Sequence, residues 1–482
     1  MENKLVIKEH TVKQEASSLK NGNTSPGSKK YKPYPKYKPS GVEWIGEIPE
    51  GWEVRKIKFV AEFVNGYAFK SELYTDDGVP IIRIGDIADV IDFNSVKRFP
   101  ESRLKGLEKF KINKNDLLIA LTGATIGKAF EYNYDTIAYL NQRVGIIRGK
   151  KLAQNYIKHF FYSYMAKEII SYLCNGGAQE NISKIQIGNI FATLPPLSEQ
   201  QAIAAFLDRE TERINSIITK QTRMIELLKE KRSALITQAV TRGLYGLVSI
   251  EDTEFAEWAT KKVKYKPSGV EWIGEIPEGW EVRKLKWTLS EKLKYGANET
   301  AELDDTSLPR YIRITDFDDR GLIRDETFKS LNYKKAEGYY LKEGDVLFAR
   351  SGATVGKTFQ FKNYKGIACF AGYLIKATPN PSILLSDFLT YYTRSNTYES
   401  WKNAIFIQAT IQNIGADKYA ILQLTLPPLP EQKAITAFLD RETSKIDTLV
   451  SKIEKQIELL NEYKQSLITH AVTGKIDVRD AL

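Results

Sequence analysis

The sequence has 482 residues with an ordinary aliphatic and aromatic content, which is long enough for two or more domains that each bury a core. No apolar run approaches the roughly 18–20 residues that a membrane span requires, and the N-terminus lacks the apolar core of a signal peptide, so a cytoplasmic protein is predicted. The formal net charge of +10 favours an anionic partner.

Residues 1–35 are a basic extension. Residues 1–40 contain nine lysines and three glutamates, interspersed with Ser, Asn, Gly and Pro. This composition is typical of a disordered, solvated arm, although it also suits contact with nucleic acid.

From residue 36 onward the chain is a tandem duplication. The block Lys36–Phe59 recurs as Lys264–Trp287 with two changes, and LPPLSEQQAIAAFLDRET from Leu194 recurs as LPPLPEQKAITAFLDRET from Leu426. Repeats this long are copies of a domain plus a connector. We therefore assign one domain to residues 36–195 and a linker with a second domain to residues 244–427. The connectors are residues 196–243 and, with a tail, residues 428–482.

Each domain is predicted to be mixed α/β. In the first copy, β-branched runs bounded by Gly and Asp predict strands at residues 79–87, 116–121 and 138–147. The second copy has matching runs at residues 311–317 and 345–349. A helix with one apolar stripe follows in each copy, over residues 156–173 and about 385–401.

The connectors are predicted to be helices of about 40 residues, near 60 Å at about 1.5 Å per residue. Ser198 to Gln201 has a capping-box pattern, and Pro430 suits a first helical position. Because neither helix can bury its apolar seam alone, we expect a pseudo-twofold antiparallel coiled coil. Gln221 and Gln456 interrupt the seams, either as tolerated polar positions or as residues that set the register. The predicted seam consists of Ile203, Leu207, Ile214, Ile217, Gln221, Met224, Leu228 and Leu235 in the first helix, and of Ile435, Leu439, Ile446, Leu449, Ile453, Gln456, Leu460 and Leu467 in the second.

A glycine-flanked motif occurs in both copies, as GATIGKA from Gly123 and as GATVGKT from Gly352. A phosphate-binding P-loop needs four residues between its glycines and a Ser or Thr after the lysine, whereas this motif has three and the first copy ends in Ala129. The spacing argues against nucleotide binding. A tight turn that contacts a phosphate backbone and a purely structural turn both remain open.

No catalytic or metal-binding set is recognisable in the sequence. The three histidines, His10, His159 and His470, have no counterpart in the other copy. The Asn-Pro-Pro-aromatic tetrapeptide that amino-methylating enzymes use on a flipped base is missing as well. We therefore predict a chain that is not an enzyme.

Taken together, two copies of WIGEIPEGW, the GAT-[IV]-GK turn and the PPL-x-EQ-x-AI run that opens a long helix resemble the specificity subunit of type I restriction-modification systems. The resemblance covers nearly all of residues 36–482. It implies two target recognition domains that each read one half of a bipartite DNA sequence, held by an antiparallel coiled coil. The basic extension departs from the family pattern.

The resemblance also implies partners. These are double-stranded DNA, methyltransferase subunits, expected to be two, and a restriction or motor subunit that cleaves DNA. S-adenosylmethionine, ATP and Mg are then expected on the partner subunits, and no cofactor on this chain. The matched connector lengths further predict that the helices set the spacing between the half-sites.

Two alternatives come from other classes. An assembly scaffold would share the coiled coil without reading DNA, and a nucleotide-dependent enzyme would need a phosphate loop that the spacing denies.

If the domains read DNA, exposed loop residues between strands are the expected contacts. The candidates are Asn65, Tyr67, Lys70, Thr122, Thr125, Lys128, Asn181 and Lys184 in the first domain, and Tyr295, Asn298, Arg350, Ser351, Thr354, Lys357, Gln412 and Asn413 in the second.

Overall fold

The structure, a computed structural model, describes residues 31–87, 90–174, 181–318, 321–352, 354–407 and 413–481. Most of the basic extension and the candidate contact Gln412 lie outside these residues. The chain forms two compact units, one made of Met1–Gln221 with Glu454–Leu482 and the other of Thr222–Ile453. Each unit therefore combines one copy of the domain with one half of each connector. In the described part of the chain, no helix is long and apolar enough to cross a membrane.

The first copy contains a mixture of short strands and helices. Its strands are β1 (Tyr37–Pro39), β2 (Glu47–Pro49), β3 (Glu53–Lys56), β4 (Ala61–Asn65), β5 (Val79–Ile82), β6 (Arg98–Phe99), β7 (Lys111–Ile112), β8 (Asp116–Ala120), β9 (Ala129–Tyr132), β10 (Ala138–Leu140), β11 (Val144–Gly149) and β12 (Phe191–Leu194). Its helices are α1 (Ile57–Val60), α2 (Gln154–Tyr162), α3 (Tyr164–Cys174), α4 (Lys184–Asn189) and the long α5 (Leu197–Arg242).

The second copy has a similar but not identical order of elements. Its strands are β13 (Tyr265–Pro267), β14 (Glu275–Pro277), β15 (Glu281–Lys284), β16 (Lys294–Tyr295), β17 (Arg310–Ile312), β18 (Val346–Ala349), β19 (Thr358–Gln360), β20 (Ala368–Phe370), β21 (Leu374–Ala377) and β22 (Gln423–Leu426). Its helices are α6 (Ala256–Thr260), α7 (Tyr333–Ala336), α8 (Ser386–Tyr392), α9 (Asn396–Ile407), α10 (Ala416–Ala420) and the long α11 (Leu429–Val472).

A four-stranded antiparallel sheet forms the centre of each domain, in the order β4-β11-β8-β9 in the first copy and β16-β21-β18-β19 in the second. Strand β8 is buried along its whole length, as its run of aliphatic residues predicts. Beside this sheet, β5 and β10 pair in parallel in the first copy, and β17 and β20 do so in the second. Strands β3 and β12 pair next to the start of α5, and β15 and β22 match them. The predicted mixed α/β domains are confirmed.

One predicted strand is in fact two strands in two sheets. Residues 138–147 were expected to be continuous, but a turn separates β10 from β11, and the backbone N of Val144 donates to the carbonyl of Asn141 at 3.0 Å. The polar sequence Asn-Gln-Arg at residues 141–143 suits a turn between apolar runs.

The predicted helix over residues 156–173 is also interrupted. Ser163 has an extended backbone (ψ 149°) that ends α2, and its hydroxyl accepts from the backbone N of Ala166 at 3.2 Å at the start of α3. Serine favours such caps because its side chain competes for backbone hydrogen bonds. In the second copy, residues 393–395 separate α8 from α9 in the same place.

The long helices begin earlier than the sequence pattern predicts, α5 by two residues and α11 by one. Helix α5 starts at Leu197 and α11 at Leu429, so Ser198 and Pro430 are second helical residues. The backbone N of Glu199 donates to the carbonyl of Pro196 at 2.9 Å, in place of the predicted capping box.

Within the first unit, α5 and α11 run antiparallel. Nε2 of Gln221 donates to Oε1 of Gln456 at 3.0 Å, and Nζ of Lys464 donates to Oδ1 of Asn215 at 2.9 Å. Residue numbers therefore rise along one helix as they fall along the other, so the antiparallel coiled coil is confirmed there. The apolar residues of the two helices share one core in each unit, with Ile203, Phe206, Leu207 and Ile214 beside Leu467, Ile468, Ala471 and Val472 in the first, and Ile236, Ala239 and Val240 beside Ile435, Phe438 and Leu439 in the second.

The packed stripe differs in phase from the predicted seam. Ile217, Met224 and Leu449 are 36%, 48% and 45% exposed, whereas Ile225 is buried and Ile218 packs partly buried against the first core. These three predictions are wrong because a straight helix repeats every 3.6 residues and drifts from an alternation of three and four. Of the other predicted positions, Gln456 is exposed, and the structure places Ile203, Leu207, Ile214, Gln221, Leu228, Leu235, Ile435, Leu439, Ile446, Ile453, Leu460 and Leu467 in buried or half-buried positions.

Candidate nucleic-acid interface

The GATIGK and GATVGK motifs are hairpin turns that join β8 to β9 and β18 to β19. The backbone N of Gly127 donates to the carbonyl of Ala120 at 2.9 Å, and the backbone N of Ala120 donates to the carbonyl of Lys128 at 3.0 Å. Gly127 has φ +77°, and a Cβ there would lie 2.7 Å from Cγ2 of Ile170. Gly356 in the second copy has φ +83°. The glycines are thus required by the turn itself. The lysine that follows, Lys128 in the first copy and Lys357 in the second, is exposed.

A second predicted segment lies beside this hairpin in each domain. The backbone N of Ile182 donates to the carbonyl of Leu121 at 2.9 Å, and Thr122 forms a bridge with Asn181. In the second domain Ser351 forms the matching bridge with Asn413. The structure therefore brings two separately predicted segments to the same edge in both copies.

The loop after β4 reaches the same edge from the other side. The backbone N of Tyr67 donates to the carbonyl of Leu140 at 2.8 Å, and Tyr67 bridges Asn141. Gly66 is in such close contact that a Cβ there would lie 2.0 Å from the carbonyl oxygen of Asn141, and a Cβ at Gly296 in the second domain would lie 2.3 Å from the carbonyl oxygen of Ala371. Only glycine permits this approach.

The turn between β10 and β11 completes the edge, although the sequence analysis did not include it. The backbone N of Leu121 donates to the carbonyl of Arg143 at 3.0 Å, and the backbone N of Arg350 donates to the carbonyl of Tyr373 at the same distance. Arg143 is exposed, and Tyr373 is 65% exposed. The missed signal is the interruption of an apolar run by three polar residues. We define the recognition edge of each domain as these four segments. They are residues 65–70, 121–128, 141–143 and 181–184 in the first domain, and residues 295–300, 350–352 with 354–357, 371–373 and 413–416 in the second.

Exposed aromatic and basic side chains lie at the first recognition edge. The Tyr67 ring is 39% exposed and lies 5.0 Å from the ring of Phe69 and 5.3 Å from that of Phe110, measured between centroids. Nζ of Lys109 lies 4.8 Å from the Phe110 centroid. This combination suits a polyanion, because lysine pairs with phosphate while rings supply flat contact area.

The second edge carries an arginine held in place by a ring. Cζ of Arg350 lies 4.9 Å from the centroid of Tyr295, whose hydroxyl accepts from the backbone N of Ala416 at 2.9 Å. Nε of Arg350 is buried without a hydrogen-bond partner among the described residues. In the first domain Leu121 occupies the equivalent position and is buried. The two edges thus share a backbone frame but differ in chemistry.

The structure places the predicted contacts in exposed or half-buried positions. Asn65, Tyr67, Lys70, Thr125, Lys128, Asn181, Lys184, Tyr295, Asn298, Lys357 and Asn413 are exposed, and Thr122, Arg350, Ser351 and Thr354 are half-buried. Within the described ranges, no group of three or more His, Cys, Asp or Glu side chains could hold a metal ion.

A polar cluster attaches each domain to the start of a long helix. Nζ of Lys158 donates to Oδ1 of Asp208 at 2.8 Å, and Nε2 of His159 lies 2.9 Å from the same oxygen. Burial lowers the pKa of His159. Burial raises the pKa of Asp208, but hydrogen bonds from His159 and Lys158 outweigh it and lower that pKa to about 2. In the second copy, the hydroxyl of Tyr391 donates to Oδ1 of Asp440 at 2.6 Å.

The family described as type I restriction modification DNA specificity domain matches residues 49–227 and 277–459, which is most of the chain and one match for each copy. This chain belongs to that family. It is a type I restriction-modification specificity subunit, and its two specificity domains have the architecture that the sequence resemblance implied.

Individual relatives match this specificity subunit over nearly its whole length. The StySPI specificity subunit of Salmonella potsdam is 24% identical over 445 residues, which cover 89% of this chain and 90% of the relative. The EcoKI specificity subunit of Escherichia coli K12 is 23% identical over 451 residues, with coverage of 89% and 90%. A solved structure of a type I restriction-modification system, described by its complex assembly and conformational transition, aligns with a TM-score of 0.64 at 17% identity, covering 88% of this chain and 98% of that one. The last likeness shows a shared fold.

Proposed function

We propose that each specificity domain of this chain reads one half of a bipartite sequence in double-stranded DNA through its recognition edge. The chain would thereby direct methyltransferase subunits, two per chain, and a restriction subunit to that sequence. One observation carries this proposal: the same four-segment backbone frame occurs twice, and the side chains on it differ. A shared frame suits one kind of ligand, and different side chains suit two different half-sites.

In this proposal the chain supplies recognition and the partners supply chemistry. Membership in the specificity family fits such a role. S-adenosylmethionine, ATP and Mg would then bind the partner subunits. Because the proposed target is cellular DNA, we also place the protein in the cytoplasm.

Within the second domain, we propose that Arg350 reads a guanine. A guanidinium donates two parallel hydrogen bonds to O6 and N7 of guanine, which is the commonest specific contact in the major groove. The Tyr295 ring fixes the plane of the guanidinium before DNA binds, so less side-chain freedom is lost on binding. The first domain has Leu121 at this position, so a different residue would have to contact the bases of its half-site.

Domain replacement tests the reading proposal. A chain in which residues 289–422 replace residues 61–190 carries the second recognition edge twice. Together with its methyltransferase subunit, this chain should methylate DNA at sites whose two half-sites are the same, as mapped by methylation-sensitive sequencing of host DNA. An unchanged target, or methylation without sequence preference, would instead favour an assembly scaffold.

A further inference from the structure

Packing explains only part of the near identity between Lys36–Phe59 and Lys264–Trp287. Trp52 and Trp280 are each 1% exposed and belong to the two cores, so their identity follows from burial. Exposed positions of a monomer usually tolerate substitution with little effect on stability. The exposed residues of the block therefore need another reason to be the same in both copies.

The last exposed residues of the block include one aromatic ring in each copy, with a lysine beside it. The ring of Phe59 is 61% exposed, and that of Trp287 is 64% exposed. Nζ of Lys58 lies 5.2 Å from the centroid of the first ring, and Nζ of Lys286 lies 4.7 Å from that of the second. We define the first basic-aromatic patch as Lys56, Lys58 and Phe59, and the second as Lys284, Lys286 and Trp287. The neighbouring Arg55 and Arg283 are already paired, with Glu53 at 2.9 Å and Glu281 at 2.8 Å.

The second patch borders a cleft. Val282, Arg283, Lys284, Trp287 and Gln423 line a shallow open volume of about 490 Å³. Strands β15 and β22 form its floor, and β3 and β12 form the matching two-stranded sheet in the first unit, where Nζ of Lys56 lies 5.2 Å from the Phe191 ring. Large exposed rings beside a cleft are typical of protein interfaces, because a ring buries much area at little entropic cost.

The first patch is separate from the first recognition edge. It precedes β4, which runs from Ala61 to Asn65, and only the far end of this strand reaches the edge. At about 3.3 Å per residue, the strand alone separates them by about 13 Å. The patch is therefore a surface distinct from the four segments of the edge, and selection of bound duplexes decides between a DNA contact there and a protein partner.

We propose that the two basic-aromatic patches are equivalent docking sites for two copies of one partner protein. The lysines of each patch are complementary to acidic side chains on a partner, and the exposed ring is complementary to an apolar pocket between those acidic side chains. The same chemistry on both patches calls for the same partner twice. On the proposed function, on which this assignment rests, that partner is the methyltransferase subunit.

The stoichiometry of the complex tests this assignment. The full-length chain is mixed with the purified methyltransferase subunit of its system, and native mass spectrometry measures the mass of the complex and hence the number of bound subunits. The unmodified chain should bind two copies, Phe59→Ala or Trp287→Ala should bind one, and the double variant should bind none under the same conditions. Each affected site should be about 30-fold weaker, the loss typical of a hot-spot ring. Lys58→Glu with Lys286→Glu should act in the same direction without removing either ring.

Ile137→Ala and Ile367→Ala are the matched controls. These two side chains are 53% and 52% exposed. Ile137 precedes β10 and Ile367 precedes β20, so the two variants test the loss of exposed apolar area away from the patches. Both controls should keep two partner copies. Full binding by the double ring variant with an unchanged melting temperature would overturn the assignment.

Selection of bound duplexes from a random pool separates the two proposals. The ring variants should select the same DNA as the unmodified chain. Loss of sequence selection with the partner still bound would place the patches in the DNA interface and overturn the docking assignment. If neither the unmodified chain nor any variant selects a DNA sequence, the proposed function is wrong. The stoichiometry of the complex with the methyltransferase subunit still tests the docking assignment in that case.

Discussion

Replacement of Arg350 gives the sharpest test of base reading. Arg350→Gln removes the guanidinium and leaves a shorter, uncharged polar side chain, so the second half-site should lose its preference for one guanine. A bidentate contact contributes about 1–3 kcal/mol of discrimination, which corresponds to about a 5- to 150-fold fall in the preference for that base. Because Nε has no partner among the described residues, the substitution breaks no hydrogen bond of that atom within the free protein.

The assay is selection of bound duplexes from a random pool, read separately for the two half-sites. Tyr295→Phe keeps the stacked ring and loses only the hydroxyl that accepts from Ala416, so it should change the preference less than Arg350→Gln. Lys357→Ala should weaken binding to all sequences alike, as expected for a phosphate contact. An unchanged second half-site in Arg350→Gln, or a changed first half-site, would refute the assignment of Arg350.

Three further outcomes follow from the structure. Ile225→Ala should lower the free energy of unfolding by about 2–5 kcal/mol, whereas Met224→Ala should change it by about 0.5 kcal/mol or less. Urea denaturation measures both, and equal effects would support the seam that the sequence predicted. The pKa values of His159 and His470 are lowered by burial, so below about pH 6.5 the unfolded chain gains protons that the folded chain does not, and stability should fall. His159→Gln should reduce the loss of melting temperature between about pH 7.5 and about pH 5.5, with the remainder due to His470; an unchanged loss would contradict the role of His159. Lys128→Ala should flatten the dependence of DNA affinity on salt by about one unit of slope, and an unchanged slope would make the first hairpin turn purely structural.

The tandem repeat made the architecture predictable from sequence. Two near-identical blocks and two heptad-like stripes sufficed to predict two mixed α/β domains and an antiparallel helix pair. Errors arose where one apolar pattern covers two structures. The run over residues 138–147 has the composition of a single strand, and only the tertiary placement of Asn141 assigns its halves to different sheets.

The recognition edge was partly predictable. Loops after strands are natural candidates, and the segments at residues 65–70, 122–128 and 181–184 do meet. The turn at residues 141–143 was missed because the apolar residues on both sides of it fit one continuous strand, so the three polar residues between them were not read as a turn. The arrangement of Arg350 on Tyr295 depends on pairing between segments distant in sequence, and no local pattern encodes such pairing.

The division of the two units also fixes the order in which they can mature during synthesis. The second unit, Thr222–Ile453, is one continuous stretch, so all of its core residues have been made before the last part of α11 is translated. The first unit needs Leu467, Ile468 and Val472, which are among the last residues to be made. Domains generally fold from the N-terminus as they are made, but here the N-terminal domain must wait, with part of its core open, until the chain is nearly complete.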